Sequence, residues 1–265
     1  MIRLFCFSAI FLTFLPGMVS AKESARFQPV EFGAKKDSIV KKIHFPESYP
    51  GKPVEVLCEA QITMLGRVHL DFCYPAKHYD DVRDYVYAVW HAFHRVFLSS
   101  ARVNGQRVVS HMQIRVRFKK IRGEEHIEMY PNMGINTDLY GDDYIGAQYY
   151  WAKMNLGACD KYVNVVLDMH VGLDGRPRNI KLLNKGVSEH CTGSLVRQFK
   201  RRKFIPAFYQ GKPVSSRYIG YMNLDPNVNT IFINLGVLIG RIQLESRKPE
   251  GKRSSEQPPA GEGTK

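Results

Sequence analysis

Apolar and polar residues alternate strictly from Val163 to Val171, with Val163, Val165, Leu167, Met169 and Val171 on one side. That period of two predicts a half-buried strand. Asp174-Gly175 follows, and Arg176 to Leu183 is again extended in pattern. Asp-Gly between two such runs predicts a hairpin with a two-residue turn, which sets Met169 against Ile180 and Leu167 against Leu182. Leu195, Val196 and Phe199 then share one helical face. Pro206 cannot continue a helix and biases Ile205 to an extended conformation, so the helix should end near Phe204. Gln210-Gly211 supplies a turn, and Val214 to Leu224 is long enough for a strand, weakened at Gly220.

The same order of elements stands earlier in the chain. Val56, Cys58, Ala60, Ile62 and Met64 alternate, Gly66-Arg67 marks a turn, and Val68, Leu70 and Phe72 alternate again. Val82, Val86, Val89, Trp90, Phe93 and Phe97 form a helical stripe facing a core. Ala101 to Val108 mirrors Ala207 to Val214, and Met112, Ile114, Val116 and Phe118 end the unit as a strand. Gly66 and Gly175 lie almost as far apart as Gly105 and Gly211, so the two halves differ by a small change in loop length. The reading is two tandem copies, the first more diverged. The fold class expected is α+β: two small domains, each an antiparallel three-stranded sheet (β-hairpin, helix, strand) with the helix packed on one face. The boundaries are 22–118 for the first domain, 119–158 for a structured connector, 159–245 for the second domain and 246–265 for a disordered tail rich in Pro, Gly, Ser, Glu and Lys. The connector is aromatic (Tyr140, Tyr144, Tyr149, Tyr150, Trp151), and a short helix is predicted over Tyr144 to Met154. Ile231 to Leu244 is apolar enough for a further buried strand or strand pair.

Residues 1–21 read as a secretory signal peptide: Arg3, an apolar run from Leu4 to Leu15, Pro16-Gly17, and the small-residue site Val19-Ser20-Ala21. The alternative is an uncleaved anchor, for which about 12 apolar residues are short against a bilayer span of ~20. Export changes the meaning of the charge. The chain of 265 residues carries +13, yet a nucleic-acid partner is not expected outside the cytoplasm, and the basic excess points to anionic envelope surfaces instead. Export also favours disulfides among Cys58, Cys73, Cys159 and Cys191, for which three connectivities exist. A two-residue turn at Leu65-Gly66 puts Cys58 opposite Cys73, within bonding range. That register sets Val68, Leu70 and Phe72 on the face opposite Ala60 and Ile62, so either both faces are covered or a bulge shifts the strand. Cys159 with Cys191 would tie the entry of the second domain to its helix.

Catalytic chemistry finds little support. His91 and His94 share a helical face with Asp84 and Tyr87, a spacing that can hold a metal, but no third ligand is placed. Asp80-Asp81 and Asp142-Asp143 have no positioned partner for acid–base work. There is no G-x-S-x-G and no phosphate loop. No cofactor is implied. Lys200, Arg201, Arg202 and Lys203 concentrate positive charge, either as a solvated helix end or as a patch for an anionic surface.

The hairpin with Asp174-Gly175-Arg176, followed by Ser194, Leu195, Phe199, Arg201, Phe204, Pro206, Ala207, Gly211, Lys212, Pro213 and Val214 in that order and spacing, resembles the TonB carboxy-terminal domain over roughly Tyr162 to Leu224. Arg202 departs from it, since the family commonly has Trp there. The resemblance implies a periplasmic, non-catalytic binding or adapter module of a Gram-negative type envelope. Such a module recognises a segment of an envelope or outer-membrane protein by strand addition. The strand concerned is Val214 to Leu224, with Ser215, Arg217, Tyr218 and Tyr221 as partner-binding residues; Val108 to Phe118 is its counterpart in the first copy. A homodimer is left open. Two other readings stand beside it: a structural envelope protein on an anionic cell-wall or lipid surface, and a metal-dependent hydrolase using His91 and His94.

Overall fold

The computed structural model of the chain describes residues 26–77, 82–150, 163–183 and 186–224. The signal-like segment, Cys159, the apolar run 231–244 and the tail lie outside them. The described chain is α+β with antiparallel sheets. In order it forms β1 (Phe27–Gln28), α1 (Lys36–Val40), β2 (Val54–Ile62), β3 (Val68–Pro75), α2 (Arg83–Ala92), β4 (Arg102–Val103), β5 (Gln106–Arg107), β6 (Ser110–Ile121), β7 (Glu124–Tyr130) and α3 (Thr137–Tyr140). There follow β8 (Gln148–Tyr150), β9 (Val163–Val171), β10 (Pro177–Leu182), α4 (Glu189–Lys200), β11 (Lys203–Ile205), β12 (Ala207–Tyr209), β13 (Lys212–Val214) and β14 (Ser216–Leu224).

Two strand arrangements have the same order. β2 lies between β3 and β6, and β9 lies between β10 and β14. In each, the first strand of a hairpin is central and the strand that follows the helix pairs on its other side. The first sheet is not the expected three-stranded one but has six strands, because β6 also pairs with β7 and β8 and β8 pairs with β11. β6, which covers most of the expected counterpart strand Val108 to Phe118, is therefore paired on both sides. The small hairpins match as well. Asn104-Gly105 joins β4 to β5 and Gln210-Gly211 joins β12 to β13, with φ 50° and 78° in the first and 50° and 73° in the second. Positive φ at both central residues gives the turn whose twist fits flanking strands.

Both long hairpins turn differently from the two-residue expectation. The Thr63 N–H donates to Arg67 O and the Gly172 N–H to Arg176 O, so each loop has three residues and ends on a positive-φ glycine, Gly66 or Gly175. A bulge later in each second strand restores the register. Cys58 therefore does pair with Cys73, and the two are disulfide-bonded. The register breaks between Glu59 and Ala60, after which Leu70 stands against Ala60. In the second hairpin Leu167 pairs with Leu182 as expected, while the shift between Arg178 and Lys181 removes the Met169–Ile180 pairing. Asn179 takes φ 53° at this break.

The turn glycines also fix each hairpin to the chain leaving its helix. Gly66 O accepts from the Leu98 N–H and Gly175 O from the Phe204 N–H, each at 2.8 Å. A Cβ on either glycine would stand 2.0 Å from the carbonyl oxygen of that same partner. No side chain fits there.

The inner face of β2 and β6 (Val54, Val56, Cys58, Ala60, Ile62; Met112, Ile114, Val116, Phe118) is fully buried with Tyr85 and Val89 of α2 and with Phe32, Ile39 and Phe45 of the amino-terminal segment. β9, α4 and the start of β11 form a second core through Val165, Leu167, Met169, Cys191, Leu195, Phe199 and Phe204. Ser188 caps α4, accepting from the Cys191 N–H at 3.3 Å. This helix stops at Lys200, earlier than predicted, because residues 203–205 pair with β8. Residues 148–150, placed in a helix by the sequence reading, are that strand. Trp90 and Phe97 of the expected helical stripe are 44 % and 48 % exposed, so the buried stripe is narrower.

Candidate functional site

The outer edge of β14 is where the partner-binding residues were expected. β14 pairs with β9 along its whole length, from Ser216–Val171 to Leu224–Val163. Among the described residues no strand pairs on its other side. Successive residues of a strand direct their backbone groups alternately to either side. The odd-numbered positions of β14 point outward, and side chains meet them at Arg217 and Ile219, as one does at Ser215 just before the strand. Asn136 presents its carboxamide edge-on to Arg217: its Oδ1 accepts from the Arg217 N–H at 3.1 Å and its Nδ2 donates to Arg217 O at 2.9 Å. The Tyr140 hydroxyl donates to Ser215 O at 2.7 Å, and Gln113 Nε2 donates to Ile219 O at 2.8 Å.

The side chains named from the sequence divide. Arg217 is half exposed on the outer face, with a bidentate contact to Asp168 at 2.8 and 3.0 Å. Ser215 is half-buried at the strand's entry. Tyr218, expected to tolerate exposure, is 3 % exposed and packs edge-on to Phe204 at 5.2 Å. Tyr221 lies against Tyr74 of β3 at 5.4 Å, among Leu57, Phe72, Met133 and Ile135. These two tyrosines join the sheets rather than line a free surface. The basic run is likewise broken: Lys200, Arg201 and Lys203 are exposed, whereas Arg202 is 4 % exposed. Its guanidinium lies 4.7 Å from the Phe199 ring and 5.3 Å from the Tyr149 ring. The planar cation thus occupies an aromatic slot at the position where the resembled family carries Trp. Burial pushes its pKa down.

The residues that the sequence reading missed line the contact between the two sheets. Glu59 of β2 is 2 % exposed and accepts from Gln113 Nε2 at 3.1 Å, with the Tyr218 hydroxyl at 3.4 Å. Burial drives its carboxyl up from 4.5 to about 8, and the nearby Asp71 adds to the rise. His111 stacks on Tyr149 at 4.1 Å and contacts Asp71 at 3.1 Å. Burial also raises the Tyr149 and Tyr218 hydroxyls well above their ordinary range. Arg115 is 4 % exposed, paired with Asp142 and 3.6 Å from Glu55, with Tyr130 beneath it at 4.6 Å. In the sequence these are polar positions alternating with core residues, which is the pattern of a solvent-facing row. β14 and the connector cover that row instead.

Elsewhere, a cleft of about 670 Å³ opens between Phe27, Phe32, Lys36, Pro131, Asp143 and Phe208, crossed by the Lys36–Asp143 pair at 3.4 Å. None of the residues expected to bind a partner lines it. His91 and His94 are exposed, and among the described residues no group of three or more His, Cys, Asp or Glu is placed to hold a metal. Cys191 is disulfide-bonded. No helix of the described residues is long and apolar enough to cross a membrane. No family model matches the chain, and neither a curated protein nor a solved structure does.

Proposed function

We propose that the chain is an exported, non-catalytic binding module of two tandem TonB-like units. In this reading it recognises an extended segment of an envelope protein by adding it to the outer edge of β14. The observation that carries the reading is the row of backbone groups at Ser215, Arg217 and Ile219. Arg217 and Ile219 lie on β14, an edge strand among the described residues, and Ser215 just precedes it; all three are met by side chains rather than by a strand. Backbone groups of this kind supply affinity in strand addition, and alternate side chains supply selectivity. Arg217 is the exposed side chain positioned to read the segment, while Tyr218 holds the strand to its core. The shared strand order of the two sheets, the matched turns and the resemblance over residues 162–224 support the tandem architecture. The signal-like start and the Cys58–Cys73 disulfide support a periplasmic setting.

Exposed Lys200, Arg201 and Lys203 favour a second reading, adhesion to an anionic cell-wall or lipid surface. Pull-down from envelope extract at low and high salt separates the two, because contacts between exposed charges fade with screening. Strand addition predicts salt-resistant capture that Arg217→Ala weakens and Arg217→Pro abolishes, since only proline removes the outward N–H. Capture lost equally at high salt in all three proteins would refute it.

A further inference from the structure

The same edge carries a built-in competitor. Residues 131–146 form a closed loop, with the Gly146 N–H donating to Pro131 O at 2.8 Å across its base. Its stem is fixed. Asn132 Nδ2 donates to the carbonyls of Asp142 and Tyr144, each at 2.7 Å. The Asp142 carboxylate takes Arg115, and Ile145 exchanges backbone hydrogen bonds with Phe208. The tip, residues 135–140, is held differently. It lies between Gly134 at φ 77° and Gly141 at φ 71°. It contains the single turn of α3 and leaves Leu139 72 % exposed. Its polar hold on β14 is Asn136 on Arg217 and Tyr140 on Ser215.

We propose that this tip is a hinged cover, which swings about Gly134 and Gly141 and competes with an added strand for the β14 edge. The inference rests on the strand-addition reading above. Asn136 gives Arg217 one acceptor and one donor, the pair of bonds that an antiparallel neighbour would give. Closure therefore leaves no edge group of Arg217 unsatisfied, and the partner replaces these bonds one for one. Hinges are a few residues able to absorb large changes of φ and ψ. Gly141 has nothing within 4 Å of where a Cβ would be, whereas at Gly134 a Cβ would stand 2.7 Å from the Arg115 guanidinium, so Gly141 is the freer of the two hinges. A second carboxamide in the molecule makes the same contact permanently. Gln148 accepts from the Val30 N–H at 2.9 Å and donates to Val30 O at 2.7 Å, with both residues at 1 % exposure or less. That pair is sealed in the core; Asn136 is also buried, at 6 % exposure, and donates to the Tyr144 hydroxyl at 3.3 Å, but the Arg217 side chain beside it is 53 % exposed. The tip also accounts for the edge's protection: an uncovered strand edge invites pairing with any extended chain.

Amide hydrogen exchange on the full chain tests this. The Arg217 N–H faces the tip, and the Tyr218 N–H faces β9. A hinged cover predicts that Arg217 exchanges faster than Tyr218 through local opening. Asn136→Ala combined with Tyr140→Phe should speed Arg217 roughly tenfold or more, as expected for losing three neutral hydrogen bonds, with Tyr218 unchanged. Equal rates at the two amides in both proteins would show that the tip opens only with unfolding, and would overturn the cover alone. The second arm adds the strand-forming peptide acetyl-Val-Thr-Val-Thr-Val-amide as probe. Stronger protection of Arg217 in the variant than in the native chain supports competition, and equal protection in the two overturns it. No protection in either, with Arg217 already fast in the variant, overturns strand addition at this edge and the cover's role with it.

Discussion

Replacing Glu59 by Gln isolates the electrostatics of the contact between the two sheets. The carboxyl is 2 % exposed, and burial moves it from its ordinary 4.5 to about 8. The folded state therefore binds this proton more tightly than the unfolded state does. The stability contributed is full below about pH 4.5 and is lost as the pH rises through about 8. Between those limits one proton is released on unfolding, so the slope is about 1.4 kcal/mol per pH unit, or about 3 kcal/mol between pH 5 and pH 7. Gln at position 59 keeps an oxygen to accept from Gln113 and cannot ionise. Other titrating groups act alike in both proteins and cancel in the difference. Urea denaturation of native chain and Glu59→Gln across pH 5 to 8 should give curves that diverge by that slope, with the variant gaining relative stability as pH rises. Parallel profiles would refute the reasoning, since Glu59 would then be solvated or ionised in the fold.

Gly175→Ala should destabilise more than Gly211→Ala by about 2 kcal/mol in denaturant midpoints. Both glycines have positive φ, but only at Gly175 does a Cβ meet a backbone oxygen, that of Phe204, at 2.0 Å. Removing the disulfide with Cys58→Ala and Cys73→Ala should cost about 3 kcal/mol for a bridge closing 15 residues. Non-reducing peptide mapping of the native chain should find Cys191 joined to Cys159. Arg202→Ala should lower stability by about 2 kcal/mol through lost packing between Phe199 and Tyr149, while Lys200→Ala on the exposed helix end should change it by less than about 0.5 kcal/mol.

What could be read in the sequence was local. Alternation at Val54–Ile62 and Val163–Val171 marks strands because a period of two needs no distant partner. Cys58 and Cys73 stand opposed as a two-residue turn would place them, but through a three-residue loop and a compensating bulge between Glu59 and Ala60. Asp174-Gly175 suits both a two-residue turn and a three-residue turn ending on a positive-φ glycine. What decides is the hydrogen bond from Phe204, many residues away. The burial of Glu59, Gln113 and Arg115 is likewise not local: their spacing is that of an exposed row, and only the arrival of β14 and the connector covers it. Arg202 looked like one more charge in a basic run, and nothing in the run reveals the Tyr149 ring that receives it. Asn136 carries no signal at all, because a carboxamide that imitates a neighbouring strand is recognisable only once the edge it meets is known.

The most direct measurement of partner recognition is a ladder of photo-crosslinks in intact cells. A photoreactive residue is placed in turn at Ser215, Arg217 and Ile219, and the crosslinked position on the captured protein is mapped by mass spectrometry. Strand addition predicts one partner segment, with the crosslinked residue moving two positions along it for each step of two along β14, because paired strands advance residue for residue. Crosslinks that scatter over several proteins, or that stay at one partner residue whichever position carries the label, would contradict recognition at this edge.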